Sequence, residues 1–132
     1  MATVVLAEDD NQIRMVAERI LRRAGHDVVV TADGAAGWQA VLQHRPDVVV
    51  SDIDMPVMSG VELSQRIRAH PETARLPVVL VSGSLVPGDT RPTEAHATAM
   101  LNKPFRPQEL VSCVAKALDT GHSDGQAPTV CS

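Results

Sequence analysis

Residues 47–60 read DVVVSDIDMPVMSG, and this stretch decides the architecture. Val48, Val49 and Val50 form an unbroken β-branched run, so a strand here carries apolar side chains on both faces. A sheet covered on one side only would alternate apolar with polar residues instead. The run stops at Asp52 and Asp54, and Pro56 and Gly60 mark the following segment as a loop. A strand buried on both faces calls for helices on both sides of a parallel sheet.

The flanking sequence repeats this unit in both directions. Residues 3–7 (TVVLA) read as a first strand, and residues 11–24 as a helix with Ile13, Val16, Ala17, Ile20, Leu21 and Ala24 on one stripe. Asp10 is suited to cap that helix, and Gly25 to end it in a left-handed turn. Residues 28–31 form a second strand, and Asp33 caps a helix running to residue 44. Beyond the DMPVMSG loop come a helix over 61–69, a strand over 77–81 (PVVLV), a short strand over 99–101 and a helix over 108–118. The crossover lengths predict a three-layer, doubly wound α/β fold. Its five-stranded parallel sheet has the flavodoxin-like order 2-1-3-4-5. The fourth crossover carries Pro87, Gly88 and Pro92, so its helix is expected to be short, beginning near Pro92. One domain spans residues 1–119, and the small, polar segment 120–132 is expected to be a disordered tail.

Bulk composition narrows the function. The chain has 132 residues, a net charge of -4, one Trp, one Phe and no Tyr, so a basic or aromatic nucleic-acid surface is lacking. Direct nucleic-acid binding is therefore not expected. The apolar runs are too short to span a membrane, and residue 1 leads into a strand rather than an export signal. Cys113 and Cys131 have no metal-ligand or CxxC spacing and are expected to be separate free thiols in a reducing, cytoplasmic setting. The histidines are scattered and form no site, and Trp38 reads as helix packing.

In an open parallel sheet, ligands bind beyond the carboxyl ends of the strands. Strand one runs into Glu8 and Asp9, strand three ends at Asp52 with Asp54 close behind, strand four delivers Ser82, and strand five leads to Lys103. Carboxylates about 4 Å apart repel by roughly 4 kcal/mol per pair at an effective dielectric near 20, so the cluster calls for a cation or for raised pKa values. An oxygen-only donor set without His or Cys favours Mg²⁺ over zinc. A carboxylate can attack phosphorus where charge on the phosphoryl oxygens is neutralised. Asp52, on the most buried strand, is the best nucleophile candidate, with Lys103 and Ser82 as phosphoryl-binding groups.

The segments VVLAEDDNQIR, DVVVSDIDMPVMSG, PVVLVSG and LNKPF resemble, in order and spacing, the motifs of response-regulator receiver domains over about residues 3–118. The resemblance implies that Asp52 is phosphorylated by the phosphohistidine of a sensor histidine kinase or histidine phosphotransfer protein. Asp9 is then a direct Mg²⁺ ligand, Glu8 acts through water, and Asp54 offers its backbone carbonyl. Ser82 matches the switch hydroxyl and Lys103 the phosphate-binding lysine, before a cis Lys103–Pro104 bond. Such a domain is a self-dephosphorylating switch rather than a conventional multi-turnover enzyme. Met100 stands where the family usually carries Tyr or Phe, and His96-Ala97 replaces its usual Gly-Ala. The output partner, and whether phosphorylation drives homodimer formation, are left open.

Two enzyme classes share parts of this pattern. Asp52-Ile53-Asp54 resembles the nucleophile motif of haloacid-dehalogenase-type phosphohydrolases, but here it sits on the third strand and is followed by Pro56, with no room for a cap domain. A Toprim-like nuclease also pairs an early glutamate with a later DxD, but it would need a basic surface. A receiver fold that merely binds a partner would not need the full set Glu8, Asp9, Asp52, Ser82 and Lys103.

Overall fold

The computed structural model describes residues 2–123 and 125–131. The elements are β1 (Thr3–Ala7), α1 (Asn11–Arg23), β2 (Asp27–Thr31), α2 (Gly34–His44), β3 (Val48–Asp52), α3 (Gly60–Ala69), β4 (Val78–Ser82), α4 (Arg91–Glu94), β5 (Ala99–Asn102), α5 (Pro107–Thr120) and β6 (Thr129–Cys131). They form one parallel sheet in the order β2-β1-β3-β4-β5-β6. The first five strands follow the expected doubly wound order, and β3 and β4 are buried along their whole length.

Strand periodicity divides the core in two. Val4, Leu6, Val48, Val50, Val79 and Val81 face α1 and α5. Val5, Ala7, Val49, Val78 and Leu80 face α2, α3 and the segment just after α4, at Ala95 and Ala97. Continuous valines therefore feed both layers at once. Trp38 belongs to the second layer and lies edge-on to His70 with ring centroids 5.5 Å apart.

Local signals set the element ends. The Asp10 carboxylate accepts from the amides of Gln12 and Ile13 at 2.9 and 3.0 Å, and Asp33 accepts from Ala36 at 2.8 Å. Gly25 has φ +97°, the left-handed geometry that closes α1. Ser59 and Glu62 form a reciprocal capping box, which starts α3 at Gly60. The apolar stripe of α1 is narrower than its sequence pattern: Ala17 and Leu21 are buried, whereas Val16 is 52% exposed. Helix α4 is a single turn, as its prolines predict.

Two expectations need correction. Where it is described, the segment expected to be a disordered tail over 120–132 is ordered: Thr120 closes α5, and Thr129–Cys131 pair with Ala99–Leu101 as a sixth strand. Cys113 and Cys131 are not free thiols but partners in a disulfide, with their Cα atoms 5.7 Å apart. Three edge residues cannot by themselves repay the ordering of their connection at about 1–2 kcal/mol per residue, so the covalent bond is the added restraint that sequence spacing did not reveal. His122 is buried, and its Nδ1 lies 2.9 Å from the Thr98 hydroxyl. Thr98 Oγ1 also accepts from the Val78 amide at 3.0 Å and from Arg68 at 3.3 Å, tying β4, β5 and α3 together at the amino edge.

Candidate functional site

The opposite edge of the sheet gathers the predicted polar groups. Strand β1 ends at Ala7, so Glu8 and Asp9 emerge next to the end of β3, where Asp52 is the last strand residue. One carboxylate oxygen from each of Glu8, Asp9 and Asp52 lies within 4.8 Å of the others. Glu8 and Asp52 are buried, at 3% and 7% exposure, while Asp9 is open to solvent. Lys103, one residue past β5, reaches across with Nζ 2.7 Å from Glu8 Oε1 and 3.4 Å from Asp52 Oδ1. The Lys103–Pro104 peptide is cis.

Burial chiefly raises the pKa of Glu8 and of Asp52, and Lys103 pulls each back only in part. Burial also works against the Lys103 ammonium, but its hydrogen bond to Glu8 and the charges of Asp52 and Glu8 outweigh that, so its pKa lies above the ordinary lysine value. Lys103 thus pairs with two of the three clustered carboxylates, Glu8 and Asp52. The donor set is oxygen throughout, which fits a hard divalent cation such as Mg²⁺.

Close backbone packing fixes Asp52. The Gly60 amide donates to the Ile53 carbonyl at 2.8 Å, and a Cβ at Gly60 would overlap the Asp52 carbonyl oxygen. Only glycine lets α3 start this near the end of β3. The Ile53 amide donates to Asp52 Oδ1 at 2.9 Å and orients the carboxylate.

Ser82 is fully buried at the end of β4, and its hydroxyl belongs to a second network. Ser84 Oγ donates to Asp54 Oδ2 at 2.6 Å, which uses its only proton. The 2.9 Å contact between the two serine hydroxyls therefore has Ser82 as donor, while the Ser84 amide donates to Ser82 Oγ at 3.1 Å. Arg91 of α4 closes the network, donating to Ser84 Oγ at 3.1 Å and lying 3.4 Å from Asp54 Oδ1. Asp89 holds the same guanidinium at 2.8 Å. Hydrogen bonds from Arg91 bring the Asp89 carboxyl down to about 2.

The structure brings Glu8, Asp9, Asp52 and Lys103 together and sets Ser82 at the adjoining strand end. The side chain of Asp54 turns to Ser84 and Arg91, away from the acidic cluster. Met100 lies mid-strand in β5, opposite Leu80 on one side and Val130 on the other. The sequence pattern does not single out Arg91. Its signal was slight: the first residue of a proline-interrupted turn, fewer than ten residues after Ser84.

The pattern defining the response regulator receiver domain matches residues 4–115. The DNA-binding transcriptional regulator NtrC of Azospirillum brasilense is 32% identical, over 98% of this chain and 29% of its own length. The chemotaxis response regulator CheY4 of Vibrio cholerae superposes with a TM-score of 0.83 at 30% identity, covering 88% of this chain and 98% of its own. The receiver domain of the sensor histidine kinase PA1611 from Pseudomonas aeruginosa, solved with a magnesium ion coordinated in its active site cleft, gives 0.83 at 27% identity, covering 89% and 98%. The chain thus spans less than a third of the length of the NtrC relative. Match, fold and strand-end residues agree: the chain belongs to the response regulator receiver domain family of two-component signalling.

Proposed function

We propose that Asp52 accepts a phosphoryl group from the phosphohistidine of a sensor histidine kinase or histidine phosphotransfer protein. The observation that carries this is a buried carboxylate at the end of the central strand, with Lys103 Nζ at 3.4 Å and Glu8 and Asp9 beside it. An Asp52 oxygen attacks phosphorus, the phosphorus–nitrogen bond of the donor breaks, and the electron pair returns to its imidazole. Glu8, Asp9, Asp52 and the Asp54 backbone carbonyl would hold Mg²⁺, which supplies positive charge for the phosphoryl oxygens. Lys103 adds a second cation and leaves Glu8 for the phosphoryl group.

The new group brings about two negative charges. Ser82 gives up its bond to Ser84 and donates to a phosphoryl oxygen, which loosens the Ser84–Asp54–Arg91 network and passes the change to α4. Met100 fills the neighbouring switch position. The chain then acts as a cytoplasmic signalling switch on an output partner, with no direct contact to nucleic acid or membrane and without conventional enzymatic turnover. Among the described residues no helix is long and apolar enough to cross a membrane.

Incubation with labelled acetyl phosphate and Mg²⁺ tests the assignment. Wild type should take up label as a hydroxylamine-sensitive acyl phosphate, and Asp52→Asn should take up none. Label persisting in Asp52→Asn would overturn it.

A further inference from the structure

Strand β6 is unexplained by the acidic site, and the receiver pattern ends at residue 115, before it. It has three residues, of which Thr129 and Val130 are exposed, and its connection from α5 carries Gly121, Gly125 and Pro128. Its single inward side chain is Cys131, 9% exposed and bonded to Cys113 of α5, which is 1% exposed. Removing that bond leaves β6 itself with a few edge hydrogen bonds, among them Thr129 N to Thr98 O at 3.0 Å, while the contact of buried His122 with Thr98 holds only the start of the connection.

The position of β6 gives this bond a consequence. Val130 is the register partner of Met100, and Cys131 that of Leu101. Ala99 and Leu101 face α5, so Met100 and Val130 share the opposite face of the sheet, where the one-turn α4 gives little cover. Docked β6 therefore flanks the residue in the switch position of β5. In a reducing compartment a disulfide of this kind serves as a transient, signalling bond rather than a permanent staple.

We propose that Cys113 and Cys131 form a thiol–disulfide exchange site whose oxidation state decides whether β6 stays docked on β5 beside Met100. The reductant is a dithiol. Its thiolate attacks Sγ of Cys131, the more exposed of the two residues; the bond to Cys113 breaks, and Cys113 departs as a thiolate that takes up a proton. The second thiol of the reductant then resolves the mixed disulfide. Two electrons pass to the protein, both cysteines end as thiols and the reductant ends as a disulfide. Reoxidation reverses each step.

The test uses the whole chain, oxidised with oxidised glutathione or reduced with dithiothreitol, and compared by peptide mapping, amide exchange and the methyl resonance of Met100. The oxidised chain should carry the Cys113–Cys131 link within one molecule and protect the amides of residues 129–131. Reduction should speed their exchange by about tenfold or more and shift the Met100 signal. Cys131→Ser, a change in β6 that leaves β1 to β5 intact, should match the reduced state and ignore dithiothreitol. Equal protection in both states, an oxidised-like pattern in Cys131→Ser, or a link only between molecules would each overturn the proposal. No readout passes through Asp52, so these results stand apart from those on the acceptor chemistry.

Discussion

Asp52→Asn should stabilise the cation-free fold while removing its proposed acceptor. Lys103 Nζ lies 3.4 Å from Asp52 Oδ1, an attraction of about 5 kcal/mol at an effective dielectric near 20. Glu8, within 4.8 Å, repels by roughly 3.5 kcal/mol or more on the same scale, and solvent-exposed Asp9 adds about 1 kcal/mol. These terms nearly cancel, so the cost of burying an ionised carboxylate is what remains. That agrees with burial being the main cause of the raised pKa of Asp52. Asparagine keeps an oxygen for the Ile53 amide and drops the charge, for an expected gain of about 1–2 kcal/mol. In a domain of this size, that raises Tm by about 3–8 °C. The pH dependence has a definite sign. A carboxyl raised in the folded state favours folding below its ordinary pKa, and that contribution is lost as pH rises through the raised value. Wild type should therefore lose stability from acid towards neutral pH more steeply than the variant. Thermal melts in EDTA at low salt give the comparison, and added Mg²⁺ should narrow the gap by stabilising wild type more. A variant that melts at or below wild type in EDTA would refute the reasoning.

Other perturbations separate the supporting parts. Lys103→Met leaves Glu8 and Asp52 buried without their cation and should cost about 2–4 kcal/mol near neutral pH in denaturant titrations, with the loss shrinking in acid as the carboxyls protonate. Gly60→Ala drives a methyl group into the Asp52 carbonyl and should cost about 1–3 kcal/mol while slowing acetyl-phosphate labelling; an unchanged labelling rate would mean the backbone position of Asp52 is not critical. The Asp89–Arg91 contact should persist above the ordinary aspartate value of 3.8 and be lost as pH falls through about 2. The chemical shift of Arg91 Nε reports it, and a midpoint near 3.8 would contradict the close pairing.

The sequence made legible whatever depends on periodicity and strand ends. Val48–Val50 announced a doubly covered strand, and the carboxylates, hydroxyl and lysine after successive strands announced one shared edge. What it hid depends on residues distant along the chain meeting in space. No spacing rule brings Cys131 to Cys113, and a three-residue strand after a glycine-containing connection has no periodic pattern. The proton direction of Ser82 was equally hidden, because it follows from a chain of donors through Ser84 to Asp54. Val16 illustrates the opposite error: it keeps helical spacing with Ile13 and Ile20 yet is half exposed.

The sixth strand also bears on how the molecule behaves in crowded solution. An uncovered strand edge is a template on which other chains can assemble. With β6 in place, that margin of the sheet ends in three residues; without it, the longer β5 edge lies open beside Met100. The far margin, β2, begins with exposed Asp27, whose charge discourages stacking there. Self-association of this protein should therefore start from the β5 side, and thiol chemistry at a single cysteine pair would govern its onset.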